Sequence, residues 1–154
     1  MEKIKDSTKD RELKFSRLLN ARIELVWEIW TDPEHIKLWW GPDGFTNTIK
    51  KMDMKPGGEW LLIMRGPDGT DYDIKAVFKE VVRYKKIEYE QFTNFKCIAT
   101  IEFEARGEKT YLEWRMLFES REYLAQVAKA YGVDPGLTQT AERLINYLLQ
   151  LTTK

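Results

Sequence analysis

The sequence contains a single cysteine, Cys97, and a single histidine, His35, among its 154 residues. One cysteine cannot form an intrachain disulfide, which is typical of proteins that work in a reducing compartment. Structural zinc sites usually take four cysteine or histidine ligands, and no glycine-rich phosphate loop is present, so no metal and no cofactor are predicted. Cys97 alternates in phase with Ala99 and Ile101. This pattern favours a buried structural thiol over a nucleophile that would depend on His35 as its base.

The chain also lacks a net charge and a long apolar run. Lysine plus arginine and aspartate plus glutamate each number 25, which argues against binding of nucleic acid or an anionic membrane by electrostatics alone. No apolar run approaches the ~20 residues of a membrane span, and residues 1–12 lack the apolar segment of a signal peptide. The sequence therefore predicts a cytoplasmic protein with no membrane span, a flexible tail at residues 1–11 and a single domain at 12–154.

What the chain has in abundance is aromatic side chains, including six tryptophans, and its first third predicts a strand and two short helices. Residues 13–19 alternate as a strand. Asn20 is a typical helix N-cap, and the apolar residues that follow recur at i, i+3, i+4 and i+7. Asp32 and Pro33 predict the start of a second helix, which ends before Gly41.

The rest of the chain predicts a sheet followed by terminal helices. Alternating apolar and charged residues in the last two strands indicate an antiparallel sheet with one apolar face. Ser120 caps a helix that ends at Gly132, residues 134–136 predict a turn, and the final helix carries a long apolar stripe. This order predicts an α+β fold in which a curved antiparallel sheet wraps around the C-terminal helix. The predicted strands after the two short helices are residues 45–54, 59–65, 71–82, 86–92, 97–105 and 109–118.

Carboxylate pairs are the candidates for catalytic chemistry. Three pairs occur at i, i+2 on predicted strands, so that both members of a pair share one face. For Glu102 and Glu104 that face is the solvated one. General acid catalysis requires a carboxyl group whose pKa is raised in an apolar pocket. No catalytic residue is therefore predicted.

Several motifs occur in the order found in a known family. The chain has RLLNARIELVWEIWTDPEHIKLWW at residues 17–40, GPDGF at 41–45, PGGEW at 56–60, GPDGT at 66–70 and KEV at 79–81. Together with residues 131–148, these motifs resemble the START-like (SRPBCC) superfamily. The branch is the one similar to the C-terminal domain of the activator of the ninety-kilodalton heat-shock protein ATPase. The resemblance covers about residues 12–151.

The resemblance implies a helix-grip fold with an apolar cavity between the curved sheet and the C-terminal helix. The function that it implies is binding of a hydrophobic small molecule, lipid-like or polyketide-like. The alternative is a co-chaperone-type module that acts on the heat-shock chaperone, whose signature would be an exposed apolar patch. A third hypothesis, an enzyme for a hydrophobic substrate, would require a buried ionisable residue facing the cavity. Both a monomer and a homodimer fit the sequence.

The predicted cavity residues come from the apolar faces of the sheet and of the last helix. Aromatic and methionine side chains there fit either a solid core or a ligand cavity. Arg17 shares a strand face with Leu13, Phe15 and Leu19, so it either pairs with an acid at the sheet edge or enters the cavity as a polar anchor. The residues predicted to line the cavity are Arg17, Trp39, Trp60, Met64, Tyr72, Tyr89, Phe103, Trp114, Met116, Leu144 and Leu148.

Overall fold

The computed structural model describes residues 9–153. Most of the predicted tail therefore lies outside the described residues, and its last part, Lys9–Arg11, forms a short 3-10 turn. The elements that follow are β1 (Glu12–Leu19), α1 (Ile23–Thr31), α2 (Pro33–Trp39), β2 (Thr46–Met52), β3 (Glu59–Arg65), β4 (Asp71–Val82), β5 (Lys86–Gln91), β6 (Cys97–Arg106), β7 (Lys109–Leu117), α3 (Arg121–Tyr131) and α4 (Val133–Thr152).

The strands form one antiparallel sheet in the order β1-β7-β6-β5-β4-β3-β2. Consecutive strands pair as hairpins from β2 to β7, and β1 joins the free edge of β7. Register shifts between Ile49 and Lys51 in β2, and between Phe78 and Glu80 in β4, bend the sheet. The α+β prediction is confirmed, and every predicted strand boundary lies within two residues of the observed one.

A cluster of tryptophans fills the space between the sheet and helices α1 and α2. The rings of Trp30 and Trp39 lie 4.8 Å apart, those of Trp30 and Trp114 4.9 Å, and those of Trp40 and Trp60 5.0 Å. All five are buried. Such edge-to-face pairs add stabilisation beyond the apolar area that they bury.

Helix α1 begins later than the sequence predicts. Asn20 does not cap it; the N-cap is Arg22, whose side chain makes no capping hydrogen bond. The cause is tertiary, because the buried Thr110 hydroxyl of β7 donates to the Ala21 carbonyl at 2.8 Å. With Ala21 held in the core in this way, the helix starts only at Ile23.

The other helix boundaries follow local chemistry. Asp32 accepts a hydrogen bond from the Glu34 backbone N–H at 2.9 Å, and Ser120 accepts one from the Tyr123 N–H at 3.0 Å, so both predicted caps are confirmed. Gly132 ends α3 with a φ of 62°. The predicted turn at residues 134–136 is wrong, because these residues form the first turn of α4. Proline is tolerated in this turn because a backbone N–H at that position would have no partner within the helix.

None of the helices within residues 9–153 is long and apolar enough to cross a membrane.

Candidate ligand-binding cavity

A cavity of about 210 Å³ lies between the sheet and the junction of α3 with α4. The sheet supplies its floor, the α3–α4 junction its roof, and the segments after α2 and β5 its sides. The sheet residues that line it are Met64, Tyr72, Ile74, Tyr89, Gln91, Trp114 and Met116. The helical residues are Ala130, Tyr131, Gly132, Val133, Gly136, Leu137 and Thr140. The side segments contribute Trp40, Gly41, Pro42, Phe45, Asn94 and Phe95.

Small residues at the start of α4 leave the space open. Gly132, Gly136 and Thr140 are spaced four residues apart, so all three lie on one side of α4, with Gly132 at its N-cap. A Cβ atom at Gly136 would lie 3.4 Å from Cγ of Pro42, so glycine lets the helix and the segment after α2 approach closely. Farther along the same helix the inward residues are Leu144 and Leu148, which are buried in the core and do not line the cavity.

Arg143 of α4 holds the segment after α2 in place. Its Nη1 donates to the carbonyls of Trp40, Gly41 and Pro42 at 3.2, 2.9 and 2.9 Å, and its Nη2 to the carbonyl of Leu38 at 3.3 Å. These carbonyls include those left unpaired at the end of α2, where a positive charge is also favourable. Burial lowers the pKa of Arg143, and the nearby Asp43 carboxylate opposes that shift. The arginine therefore fixes one side of the cavity through backbone contacts.

Polar groups in the cavity are few and uncharged. Aspartate, glutamate, lysine, arginine and histidine are all absent from its described lining. Gln91 is buried, and its Nε2 donates to the Thr93 carbonyl at 3.1 Å. The Thr140 hydroxyl donates to the Gly136 carbonyl of its own helix at 2.8 Å. The lining therefore offers a ligand no ionic partner.

Two hydrogen-bond donors of the lining, Nε1 of Trp114 and the Tyr89 hydroxyl, have no partner among the residues that the structure describes. The indole nitrogen is fully enclosed, whereas the hydroxyl of Tyr89 is not. The side chain is 4% exposed, and its ring packs edge-on against Trp60 at 5.1 Å. Burial, and to a lesser extent the neighbouring Cys97, raises the pKa of Tyr89 well above its usual value. The hydroxyl therefore stays protonated at neutral pH and can donate a hydrogen bond to a ligand.

The cavity mouth lies between the β5–β6 loop and the end of α3. Phe95 of the loop packs against Tyr131 of α3 with ring centroids 5.4 Å apart. The Tyr123 hydroxyl accepts a hydrogen bond from the Lys96 backbone N–H at 2.8 Å, which ties the loop to the same helix. Tyr131 and Asn94 are both exposed and form the outer edge.

The structure separates the predicted cavity residues into three groups. Met64, Tyr72, Tyr89, Trp114 and Met116 line the cavity. Arg17 lies exposed on β1 and makes no ion pair with a described residue. The other predicted residues are buried in the core beside the cavity; they are Trp39, Trp60, Phe103, Leu144 and Leu148.

Sequence reasoning missed the residues on the sides and roof of the cavity. The sequence predicts only that the second helix ends before Gly41 and that a strand begins at residue 45, although residues 40–45 supply a whole side wall. The four-residue spacing of Gly132, Gly136 and Thr140 was a usable signal, since small residues on the inner face of a covering helix leave room beneath it.

The two residues considered for nucleophilic chemistry have structural environments. Cys97 is buried, as predicted, and burial raises the pKa of its thiol to about 12, so it stays protonated at neutral pH. His35 Nδ1 lies 2.6 Å from the Tyr147 hydroxyl of α4, and its Nε2 lies 3.3 Å from Glu28 Oε2. Glu28, Asp32 and His35 place one ligand atom each within 4.8 Å of one another. The contacts of His35 with Glu28 and Tyr147 account for this arrangement, because they connect α1 and α2 to α4.

Comparison with known proteins gives a family match and solved structures of the same fold. The family described as Activator of Hsp90 ATPase homolog 1-like protein matches residues 20–149. Solved structures with the same fold include a protein from Nitrosomonas europaea, at a TM-score of 0.83 and 22% identity, covering 95% of this chain and 99% of that one. A protein from Arthrobacter aurescens has a TM-score of 0.85 at 22% identity, covering 96% and 91%. An AHSA1-like protein from Aeromonas hydrophila has a TM-score of 0.71 at 18% identity, covering 92% and 96%. No curated protein matches the chain.

Proposed function

The chain belongs to the Activator of Hsp90 ATPase homolog 1-like family, and from this membership and the geometry of the cavity we propose that it binds a hydrophobic small molecule. The ligand lies between the sheet and the start of α4. The observation that carries the proposal is the cavity itself, which is lined mainly by aromatic and aliphatic side chains and reaches the surface beside Tyr131. Ligand sites are typically concave, mostly apolar and equipped with a few polar groups, as this one is.

The lining supports binding rather than catalysis. Among its described residues only tyrosines carry an ionisable group, and the most buried of them, Tyr89, is held neutral by burial. A general acid or base needs a pKa near the working pH, which a buried tyrosine with a raised pKa does not have. The cysteine beside Tyr89 is likewise protonated.

Native mass spectrometry of freshly purified protein, followed by organic extraction of bound compounds, tests the proposal. Thr140→Phe places a ring in the cavity from α4, whereas Thr138→Phe places the same ring on the exposed face of the same helix. We expect a stoichiometric adduct, or saturable uptake of added hydrophobic compounds, in the wild type and in Thr138→Phe but not in Thr140→Phe.

Two results would contradict the proposal. An adduct that persists in a folded Thr140→Phe variant would place the ligand elsewhere. A wild type that carries no adduct, takes up no added compound and instead stimulates the heat-shock chaperone ATPase would favour the co-chaperone alternative.

A further inference from the structure

We infer that the cavity selects an uncharged ligand of about one aromatic ring, with an oxygen atom that accepts a hydrogen bond from the Tyr89 hydroxyl. This inference rests on the proposed function and narrows the lipid-like or polyketide-like class that the family resemblance implies. Four observations support it: the cavity volume, the aromatic walls, the absence of charge and the unpartnered hydroxyl.

The volume sets the size of the ligand. A dry apolar cavity of about 150 Å³ binds benzene, whereas pockets for drug-sized ligands span roughly 300–1,000 Å³. At about 210 Å³ this cavity lies just above the single-ring case. A ring with a short substituent therefore fits it, and a long acyl chain or a multi-ring polyketide does not.

The walls favour a flat ligand. Trp40 and Trp114 both line the cavity, with ring centroids 5.6 Å apart and planes inclined by only 22°. Phe45 and Tyr72 form a second aromatic pair in the lining, 5.9 Å apart. An aromatic ligand can add offset or edge-on ring contacts to both pairs, which stabilise it beyond the apolar area that it buries.

The electrostatics exclude an ionised ligand. Burying a carboxylate or an ammonium group is costly unless an opposite charge or several hydrogen bonds compensate it. The described lining holds no charged side chain. The guanidinium of Arg143 lies behind the cavity wall, and its hydrogen bonds go to four backbone carbonyls of that wall.

The Tyr89 hydroxyl sets the chemistry of the ligand. Tyr89 lines the cavity and its hydroxyl has no partner among the described residues, so an acceptor atom on a ligand can take its hydrogen bond. Since Tyr89 stays protonated, the complementary group is a carbonyl, ether or hydroxyl oxygen. Removal of this hydroxyl should weaken ligand binding without lowering the stability of the fold. Removal of the hydroxyl of a purely structural tyrosine would instead lower stability.

The experiment compares four probes by titration calorimetry and by amide chemical-shift mapping at pH 7. The probes are toluene, acetophenone, benzoate and palmitate, tested on the wild type, Tyr89→Phe and Tyr111→Phe. Tyr111 lies on β7 under the Arg106 guanidinium and does not line the cavity, so it is the matched control. We expect acetophenone to bind at least tenfold more tightly than benzoate and palmitate. Tyr89→Phe should lower acetophenone affinity about fivefold to tenfold, leave toluene affinity unchanged and leave the melting temperature equal or higher.

The outcomes separate this inference from the proposed function. Tighter binding of palmitate or benzoate, with shifts at cavity residues, would overturn the ligand class while leaving the proposed function standing. Acetophenone binding that is unchanged by Tyr89→Phe would overturn the role of the hydroxyl. Absence of cavity shifts with all four probes would overturn both.

Discussion

The two ends of the interface between α4 and the sheet differ although both show the same alternation of apolar residues. At the filled end, Leu144 and Leu148 are buried and belong to the same hydrophobic core as the tryptophan cluster. At the open end, Gly136 and Thr140 face the sheet and a cavity of about 210 Å³ remains. The comparison teaches that a covering helix leaves a filled core or an open cavity according to the size of its inward residues, and not according to their spacing.

Truncating one leucine at each end gives the largest contrast. Leu144→Ala should lower the free energy of unfolding by about 3–4 kcal/mol, because it opens a void in a closed core. Leu137→Ala, which enlarges a cavity that already exists, should cost only about 2 kcal/mol, since fewer of its atoms are packed on all sides. Urea unfolding measures both. Equal losses would mean that the two ends are equally well packed.

Substitution of Arg143 tests how much its hydrogen bonds to the segment after α2 contribute to stability at the open end. Arg143→Met keeps the apolar stem but removes the guanidinium from four carbonyls, of which those of Trp40 and Pro42 keep a second donor, so stability should fall by about 2 kcal/mol. Arg121→Met on α3 is the control, because Arg121 is exposed and its one ion pair within residues 9–153 is with the neighbouring Glu122, at 3.7 Å. That variant should change stability by less than about 0.5 kcal/mol. The same size of loss in both variants would show that the carbonyl contacts contribute little.

The dependence of stability on alkaline pH tests whether solvent reaches the side chains of Cys97 and Tyr89 beside the cavity. Burial raises the pKa of Cys97 to about 12 and also raises that of Tyr89. The unfolded chain therefore loses these protons first, at a pKa of about 8.5 for cysteine and about 10 for tyrosine. Their contribution to stability is complete below pH ~8.5 and is lost as pH rises toward 12, by up to about 1.4 kcal/mol per pH unit for each group.

Urea unfolding between pH 8 and 10.5 measures this slope. Cys97→Ala should reduce the dependence of unfolding free energy on pH at the lower end of this range, where cysteine titrates in the unfolded chain. If water reached the thiol in the folded protein, the variant and the wild type would show the same slope.

Trp39 and Trp60 allow a hydrogen-bonded indole N–H to be compared with an unpaired one in the core. Pro33 has no N–H to offer the Ile29 carbonyl four residues earlier, and the Trp39 Nε1 donates to that carbonyl at 3.1 Å instead. The Trp60 Nε1 is buried and has no acceptor among the described residues. Trp39→Phe should therefore cost about 1 kcal/mol more than Trp60→Phe, as measured by thermal or urea unfolding. Equal losses would indicate that the Ile29 carbonyl is satisfied without the indole.

Several elements could be predicted because their signals are local. Asp32 and Ser120 cap helices through atoms two or three residues away, and glycine or proline marks the turns that follow β2, β3 and β6. Asn20 shows where this fails, since Thr110 holds Ala21, which lies 89 positions earlier in the chain, and so delays the start of α1. Arg17 shows the same limit: its phase placed it with apolar residues, yet it lies exposed on β1.

Local periodicity was enough to determine the antiparallel sheet, the helical cover and the apolar face of each, because side-chain direction repeats every two residues in a strand and every 3.6 in a helix. The location of the cavity was decided only when the chain folded. A cavity is the space left between volumes contributed by distant segments, here α4, the segment after α2 and four strands, β3, β4, β5 and β7. The same applies to the Tyr89 hydroxyl, whose lack of a partner depends on everything packed around it.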